Sequence, residues 1–312
     1  MTLTNYKRKL IIKKNIFLKN KIKSIKRNFA KKISNNYSQR SKYLVKRKKI
    51  INKWKRKIFN EIKIINGMTR YPQKKALIIS INYTGSLHEL FGCINDGKDV
   101  KNKLTKKNYR VTMMNDNSSN NLKPTKNNIL TQISNLLRNS YYCDKLFIYY
   151  SGHGIQLKDK NNDEKDGKDE VFLTIDDNYI KDDDLNQLLN KYMKDNVSLN
   201  IITDCCHSGS QFDLRYHYNK NFTSINRNIK NVKGKVFLIS GCRDNEVSYE
   251  DFINNKTSGA LTSTLLKYLN KNISYSHLVN KVTKELKKKD YDQNPQLSSG
   301  FKCNFKRCRF FL

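Results

Sequence analysis

The sequence predicts an α/β fold in which helices cover both faces of a mostly parallel sheet. Continuous apolar runs are typical of buried parallel strands, and segments with helical spacing separate those runs. This alternation indicates crossover connections between parallel strands. The predicted strands are 76–83, 109–115, 145–150, 171–175, 197–203 and 235–240. The predicted helices are 96–107, 124–139, 182–191, 259–269 and 276–288.

The charge is distributed unevenly along the chain. Residues 1–70 hold 24 of the 62 Lys and Arg residues, and Glu61 is their one acid among the 27 in the chain. We therefore expect a basic N-terminal arm, 1–70, that is helical or disordered, because like charges repel and acids for i,i+4 pairing are lacking. Gly67 and Pro72 mark the boundary to a globular domain, 71–312. Such an arm is expected to bind polyanions non-specifically.

The cysteines and the hydropathy pattern indicate a reducing location. The chain has seven cysteines, an odd number, and their spacing suggests no disulfide framework. We also see no apolar run of signal-peptide or membrane-spanning length, since lysines interrupt the apolar stretches. The sequence thus predicts a cytoplasmic, monomeric protein without a transmembrane segment.

Two strand ends carry residues suited to nucleophilic catalysis. His153 lies between two glycines after strand 145–150, and Cys206 follows strand 197–203. In open parallel sheets the ligand crevice lies beyond the carboxyl ends of the strands, so the imidazole and the thiol are expected to meet there. An imidazole can take the proton of a thiol and later protonate a leaving amine. No third orienting residue is obvious, so the pattern predicts a His–Cys dyad.

Neighbouring residues offer competing assignments. A lone buried cysteine is ordinarily inert packing, and a lone histidine is ordinarily structural. Cys205 competes with Cys206, but alternation along the strand points it into the sheet packing. His207 adjoins the thiol, and adjacent side chains rarely face each other, so we expect it to support the structure instead of acting as the base.

Six short segments of the chain form a distinctive set. They are YSGHG at 150–154, DCCHSGS at 204–210, GCIND at 92–96, SGCRD at 240–244, GALT at 259–262 and QNPQLSS at 293–299. Together they resemble the metacaspases, which are caspase-like cysteine peptidases, and the resemblance covers about residues 74–302. This resemblance implies the caspase-type α/β/α sandwich, with the base on His153 and the nucleophile on Cys206.

The resemblance also implies a substrate preference. Metacaspases cleave after Arg or Lys, and the acids of their first specificity pocket correspond to Asp96 and Asp204, with Ser151 expected beside them. Independently, Asp204 stands two residues before the nucleophile, close to where the side chain preceding the scissile bond must lie. An acid at that position can also be a simple turn or cap residue.

A calcium site is the next implication of the resemblance. The activating calcium ligands of the family correspond to Asp169, Asp182, Asp183 and Asp213, and carboxylate oxygens are the donors that calcium requires. The Lys-Arg and Arg-Lys pairs of the basic arm are suitable targets for self-cleavage by an enzyme that cuts after bases, and the sequence leaves open whether the arm is removed in this way.

Two other functions remain open from the sequence. The chain can be a catalytically weak caspase-fold protein that binds nucleic acid or an anionic surface through its arm. It can also be a legumain-like enzyme or a caspase proper, which cleave after Asn or Asp. Cleavage after Arg or Lys would separate the metacaspase from both peptidases.

Overall fold

Two units make up the chain in the computed structural model, Met1–Tyr71 and Pro72–Leu312. The sequence placed the boundary one residue earlier. The structure describes residues 1–158, 168–206, 211–219, 222–242, 248–253, 256–269 and 272–312. Within these ranges, none of the helices combines the length and the apolarity that crossing a bilayer requires.

The first unit is a pair of long helices. Helix α1 (Leu3–Asn35) and helix α2 (Arg40–Asn66) are joined by a single 3₁₀ turn. Of the two states that the sequence left open for the arm, the structure has the helical one. Thr2 caps α1 by accepting a hydrogen bond from the Asn5 N–H. We call residues 3–66 the basic hairpin.

Contacts between α1 and α2 show that the two helices are antiparallel. Apolar and polar pairs run in reverse order along them: Lys7 Nζ donates to the Asn66 carbonyl at 2.9 Å, Phe17 meets Trp54 at 5.7 Å and Phe29 meets Tyr43 at 6.4 Å between ring centroids. Glu61 is buried and forms an ion pair with Lys14. The lone acid of the arm is therefore already neutralised within the hairpin.

The second unit alternates strands and helices. The strands are β1 (Lys74–Ser80), β2 (Arg110–Asn115), β3 (Lys145–Ser151), β4 (Gly154–Lys158), β5 (Lys168–Leu173), β6 (Tyr179–Lys181), β7 (Ser198–Asp204), β8 (Tyr216–Asn219), β9 (Phe222–Ile225), β10 (Lys235–Ser240), β11 (Glu250–Ile253), β12 (Lys256–Gly259) and β13 (Gln296–Ser299). The helices are α3 (Cys93–Thr105), α4 (Lys126–Arg138), α5 (Asp182–Tyr192), α6 (Ala260–Leu266) and α7 (Tyr275–Lys287).

Eight of these strands form the main sheet, in the order β2-β1-β3-β7-β10-β13-β8-β9. The first five are parallel, and β13, β8 and β9 extend the sheet with antiparallel pairs. Two smaller sheets lie outside it, β4-β5-β6 and β11-β12. The predicted mostly parallel sheet is confirmed.

Alternate side chains of the parallel strands enter two separate cores. Leu77 and Ile79 of β1 belong to the core that includes residues of α4 and α5. Ala76 and Ile78 belong to the opposite core, which includes residues of α3, α6 and α7. Each face of the sheet is thus covered by helices, as expected for the caspase-type α/β/α sandwich.

The structure corrects several predicted boundaries. The strand predicted at 76–83 ends at Ser80, and Pro124 lies outside α4, whose cap is Thr125. Residues 210–234 show no periodicity in the sequence, yet they contain strands β8 and β9. These strands are short and partly polar, so they lack the continuous apolar runs that identify buried strands.

Candidate active site

A crevice opens beyond the carboxyl ends of β3 and β7, two neighbouring strands in the parallel part of the sheet. Ser151 and Asp204 are register partners at the last position of these strands. The residues that follow each strand therefore enter the same space. The crevice has an empty volume of about 400 Å³. It is lined by Leu90, Cys93, Asp96, Ser151, Gly152, His153, Asp204, Cys205, Cys206, Ser248, Tyr249, Glu250 and Gly259.

Cys206 presents its thiol to this crevice. The residue is half-buried, and its Sγ accepts a hydrogen bond from the Ser248 N–H at 3.3 Å. Burial raises the pKa of the Cys206 thiol, the Asp204 carboxylate raises it further, and the Ser248 N–H opposes the shift. A thiol in this environment needs a base to become an effective nucleophile.

Cys205 occupies a different environment from its neighbour. It is only 2% exposed, and its Sγ accepts a hydrogen bond from the Gln211 side chain at 3.5 Å. Its carbonyl accepts a hydrogen bond from the Cys242 thiol at 3.4 Å. Burial raises the pKa of Cys205 well above its usual value, so this thiol stays protonated and inert.

The His153 ring is half-buried and oriented by a backbone carbonyl. Its Nε2 lies 2.9 Å from the carbonyl oxygen of His88. Because a carbonyl can only accept, Nε2 carries the proton and Nδ1 is left as the basic nitrogen. This orienting group could not be predicted from the sequence, since every residue has a carbonyl and only the fold selects one. Some residues of the matching segments lie outside the described part of the chain, namely His207, Ser208, Gly209, Arg243 and Asp244.

The glycine after His153 permits a close approach between the two strand ends. A Cβ at Gly154 would lie 2.1 Å from the Cys206 carbonyl oxygen, which is too close for any side chain. Close approach of the backbone, and not a positive φ, is therefore what requires glycine at position 154. The segments that carry His153 and Cys206 are therefore in backbone contact.

Two buried carboxylates lie in the same crevice. Asp96 is 1% exposed and Asp204 is 5% exposed. Asp96 Oδ2 accepts the Gly259 N–H at 2.7 Å, and Asp204 Oδ2 accepts the Thr262 N–H at 3.0 Å and its hydroxyl at 2.7 Å. Asp96 Oδ1 is buried and has no hydrogen-bond partner among the described residues. The crevice therefore offers an acceptor that a bound cation can satisfy.

The two carboxylates repel each other in this low-dielectric setting. Burial, and then the charge of Asp204, raises the pKa of Asp96 to about 8, against the opposing Gly259 N–H. Burial also raises the pKa of Asp204, and its bonds to Thr262 oppose that shift. A cation placed between them would favour both charged forms.

The sequence missed a third acid on the rim of the crevice. Glu250, the first residue of β11, accepts hydrogen bonds from the Gly92 N–H at 3.0 Å and the Phe91 N–H at 3.2 Å. Its carboxylate thereby joins β11 to the start of α3, and its negative charge contributes to the raised pKa values of Asp96 and Asp204. Only the pairing of β11 with β12 brings this acid to the pocket, so spacing along the chain does not reveal it.

Ser151 is the remaining predicted substrate-binding residue. It is 2% exposed and lines the crevice at the end of β3, opposite Asp204 in register. Burial, and then the charge of Glu250, raises the pKa of the neighbouring Cys93 thiol well above its usual value, and a hydrogen bond with the Ser151 hydroxyl opposes that shift. The structure therefore brings Ser151, Asp96 and Asp204 together.

The four aspartates of the expected calcium site are only partly brought together. Asp183 and Asp213 line one pocket, with Asn186 between them. Asp182 is 2% exposed, and it accepts the Glu170 and Asp183 N–H groups at 3.3 and 2.8 Å. Asp169 lies in β5, but its side chain is outside the described part of the chain. Among the described residues, no group of three or more His, Cys, Asp or Glu forms a metal site.

Oxygen donors nevertheless dominate the pocket of Asp183 and Asp213. The Asn186 amide donates to the carbonyls of Phe212 and Asp213 at 2.9 and 2.8 Å, and Lys230 also lines the pocket. Asp213 adopts a positive φ of 42°, which is uncommon for a residue with a side chain. Two carboxylates and nearby amides suit a hard cation such as calcium.

Known proteins resemble this chain in sequence. The family described as "Metacaspase, peptidase C14 domain" matches residues 74–215. Metacaspase-1 of Meyerozyma guilliermondii is 32% identical over 73% of this chain and 70% of its own length. Metacaspase-1 of Kluyveromyces lactis is 32% identical over 72% of this chain and 66% of its own length. Metacaspase-1 of Plasmodium falciparum is 35% identical over 75% of this chain and 41% of its own length, so this chain spans less than half of that relative.

A solved structure supports the fold independently. The crystal structure of a protein from Geobacter sulfurreducens superimposes with a TM-score of 0.58 at 24% identity, covering 76% of this chain and 98% of that one. The family match, the identities above 30% and the fold agree with one another. The chain therefore belongs to the metacaspase family of cysteine-type peptidases.

Proposed function

We propose that the protein is an endopeptidase that cleaves polypeptides after Arg or Lys, with Cys206 as the nucleophile and His153 as the general base. One observation carries this proposal: the thiol and the imidazole share a crevice with two buried carboxylates, Asp96 and Asp204. The proposal includes a monomeric state and a reducing, cytoplasmic location, the latter because the cysteine spacing suggests no disulfide framework.

The chemistry follows from the two side chains. Nδ1 of His153 takes the proton from Cys206 Sγ while the thiolate attacks the carbonyl carbon of the scissile bond. The imidazolium then gives that proton to the leaving amine, and a thioester remains on Cys206. Water, deprotonated by the same nitrogen, hydrolyses the thioester and restores the thiol. The His88 carbonyl holds the Nε2 proton throughout and stabilises the imidazolium.

The acids supply the specificity. A guanidinium or an ammonium between Asp96 and Asp204 would offer hydrogen bonds to Asp96 Oδ1 and relieve the repulsion between the carboxylates. An aspartate side chain in this pocket would add a further like charge, and an asparagine would leave the carboxylates unneutralised. Ser151 and Glu250 add a hydroxyl and a negative rim.

The proposed calcium site couples to the same activity. Four residues would hold the ion. They are Asp183 and Asp213, which line the pocket, Asp182, which precedes Asp183 in α5, and Asp169, which lies in β5. Bound calcium would neutralise charge between the start of α5 and the segment around Asp213, a few residues after Cys206. Ordering that segment is expected to favour the active arrangement of the crevice by a population shift.

A peptide panel tests both proposals. Fluorogenic peptides that differ only in Arg, Lys, Asp or Asn before the scissile bond are incubated with the protein in millimolar calcium or in chelator. We expect cleavage of the Arg and Lys peptides, stimulated by calcium and poorly by magnesium, which demands tighter octahedral geometry. Cleavage after Asp or Asn would indicate a caspase or a legumain-like enzyme instead.

A pair of variants isolates the calcium part of this prediction. Asp183→Ala should weaken the response to calcium, whereas Asp184→Ala on the same helix turn, beside Lys126, serves as the control. Full activity in chelator, unchanged by calcium, would remove the metal site and leave the proposed His–Cys pair untouched.

The basic hairpin supports a second function, binding of a nucleic-acid backbone. Helix α1 contains 33 residues, so it is about 50 Å long at 1.5 Å per residue, and it carries no acid. Lys21 and Lys57 lie over the Trp54 ring at 5.1 and 5.4 Å, and the remaining bases are spread along both helices. A long helix with cations distributed along it can neutralise several phosphates of a duplex.

We expect the full chain to bind a labelled duplex oligonucleotide with an affinity that falls by about 1000-fold or more between 50 and 200 mM salt. A protein starting at Thr69 should lose that binding, yet fold and keep its peptidase activity. Changing four lysines of α1 to glutamine should weaken binding more than changing four lysines around α3. Equal binding by the shortened protein, or a preference for anionic vesicles over the duplex, would contradict this proposal.

A further inference from the structure

The peptide groups on both sides of the His153 Cα are held by tyrosine hydroxyls. The His153 N–H donates to the Tyr83 hydroxyl at 3.0 Å. The His153 carbonyl accepts from the Tyr150 hydroxyl at 2.9 Å and from the Leu173 N–H at 3.2 Å. Both backbone polar groups of His153 are therefore satisfied by tyrosine side chains.

The two hydroxyls also bond to a common carbonyl. Tyr83 donates to the Leu173 oxygen at 2.9 Å, and Tyr150 lies 3.0 Å from the same oxygen. The hydroxyls are 3.3 Å apart. Burial raises the pKa of both tyrosines above the usual value, so each stays protonated and able to donate. Tyr83, Tyr150 and Leu173 thus form one connected network under His153.

Tyr83 also contacts the imidazole itself. Its ring centroid lies 5.0 Å from that of His153, with the two planes inclined by 40°. Tyr83 has a positive φ of 53°, a strained conformation for a bulky residue. The residue is 3% exposed, so its surroundings hold it in this strained conformation. Strain of this kind commonly persists where it positions a functional group.

Gly152 shows how tightly the hydroxyls fit. A Cβ at Gly152 would lie 2.8 Å from the Tyr83 hydroxyl and 2.9 Å from the Tyr150 hydroxyl. The absence of a side chain at the residue before His153 is therefore what lets both tyrosines reach its backbone. Tyr150 is fixed in turn by stacking on Phe172, with ring centroids 3.8 Å apart.

We propose that Tyr83 and Tyr150 are positioning residues that fix the backbone of His153 and thereby aim its imidazole at the Cys206 thiol. The proposal rests on the role of His153 given above and deepens it. With the His88 carbonyl on Nε2 and the tyrosines on the peptide groups, the ring has one orientation before substrate arrives. An aligned base avoids reorganisation during the proton transfer.

Tyr83→Phe tests the proposal because it removes one hydroxyl and keeps the ring. We expect kcat for an Arg peptide to fall by about 10- to 100-fold with KM within about 2-fold, since misalignment affects the chemical step and not binding. The second measurement is the pH dependence of Cys206 alkylation by iodoacetamide, followed by mass spectrometry. That profile should move toward the profile of His153→Ala.

Tyr275→Phe is the matched control. Tyr275 is 0% exposed, and its hydroxyl bonds to Asn200 Oδ1 at 2.5 Å in the core on the other face of the sheet. This variant should lose thermal stability but keep kcat and the alkylation profile. Should Tyr83→Phe fold poorly, Tyr150→Phe, which removes the other hydroxyl, carries the same expectations.

Three results would overturn the proposal. The first is a Tyr83→Phe variant whose kcat and alkylation profile equal those of the wild type. The second is the same result in Tyr150→Phe. The third is an equal loss of kcat in Tyr275→Phe, which would indicate general destabilisation. If the wild-type protein cleaved none of the peptides, the proposed function would fail, while the alkylation profiles would still decide on the tyrosines.

Discussion

Replacing Cys206 with alanine is expected to lower kcat for an Arg peptide by about 10⁴-fold or more, because the variant has no atom that can form the thioester. His153→Ala should cause a loss of similar size, since the raised pKa of the Cys206 thiol leaves little thiolate without a base. The double variant should be no worse than either single one, because the two side chains act as a unit. Steady-state hydrolysis of a fluorogenic peptide measures all three.

Cys205→Ala is the matched control for this experiment. Cys205 is adjacent in sequence but 2% exposed, with its thiol turned to Gln211, so its loss should leave most of the activity. It should cost some stability, because burying a smaller side chain leaves a cavity. An inactive Cys205→Ala beside an active Cys206→Ala would reverse the assignment of the nucleophile.

Replacing Asp96 with asparagine is expected to lower kcat/KM for Arg and Lys peptides by about 100-fold or more. Leaving one partner of a buried charge pair unpaired costs about 3–5 kcal/mol, and in the proposed pocket the cation would be the substrate side chain. Asp204→Asn should have a similar effect, because both carboxylates belong to the same crevice. Competing the Arg peptide against a Gln peptide measures the lost discrimination.

The same variant should stabilise the folded protein, and the effect should depend on pH. The pKa of Asp96 is raised to about 8 by burial and Asp204, above the value of 3.8 for an unperturbed aspartate. Below pH 4 the side chain is protonated in both states, whereas from pH 4 to 8 ionisation increasingly favours the unfolded chain. The Tm of Asp96→Asn should therefore match the wild type near pH 4 and exceed it at pH 8, by about 2–4 °C per kcal/mol.

Asp99→Asn provides the control for both measurements. Asp99 lies on the same helix as Asp96 but is partly exposed and bonded to Lys256 at 2.7 Å. The Asp99→Asn variant should leave unchanged both the discrimination between Arg and Gln peptides and the pH dependence of Tm. If Asp96→Asn kept full activity toward Arg peptides, or if it were less stable than the wild type at pH 8, the two-carboxylate pocket would be wrong.

The parallel part of the fold was predictable because its strands are locally distinct. Strand 235–240 has the predicted bounds, and the end of β7 differs from the prediction by one residue, since burial on both faces demands an unbroken apolar run. Strands β8, β9 and β11 escaped prediction, because their stability comes from pairing with β13, with each other or with β12. Local sequence does not contain that information.

The site residues also divide into those that the local sequence predicts and those that it does not. His153, Cys206 and Asp204 were predictable because each stands at or just after the end of a recognisable strand. The His88 carbonyl, Glu250 and the Tyr83 hydroxyl were not, since loops and a short hairpin bring them to the crevice from distant positions. For the expected calcium site, the sequence predicts four aspartates, and two of them, Asp183 and Asp213, line the described pocket.

The burial of Glu61 against Lys14 determines how any attraction between the basic hairpin and a polyanion can be regulated. Residues 1–70 contain no histidine and no cysteine, the side chains whose charge ordinarily changes between pH 5 and 9. With 24 bases against that one paired acid, the unit keeps a nearly constant positive charge over that range. Acidification of a compartment would therefore leave such binding intact, whereas a higher ionic strength or a competing polyanion would weaken it.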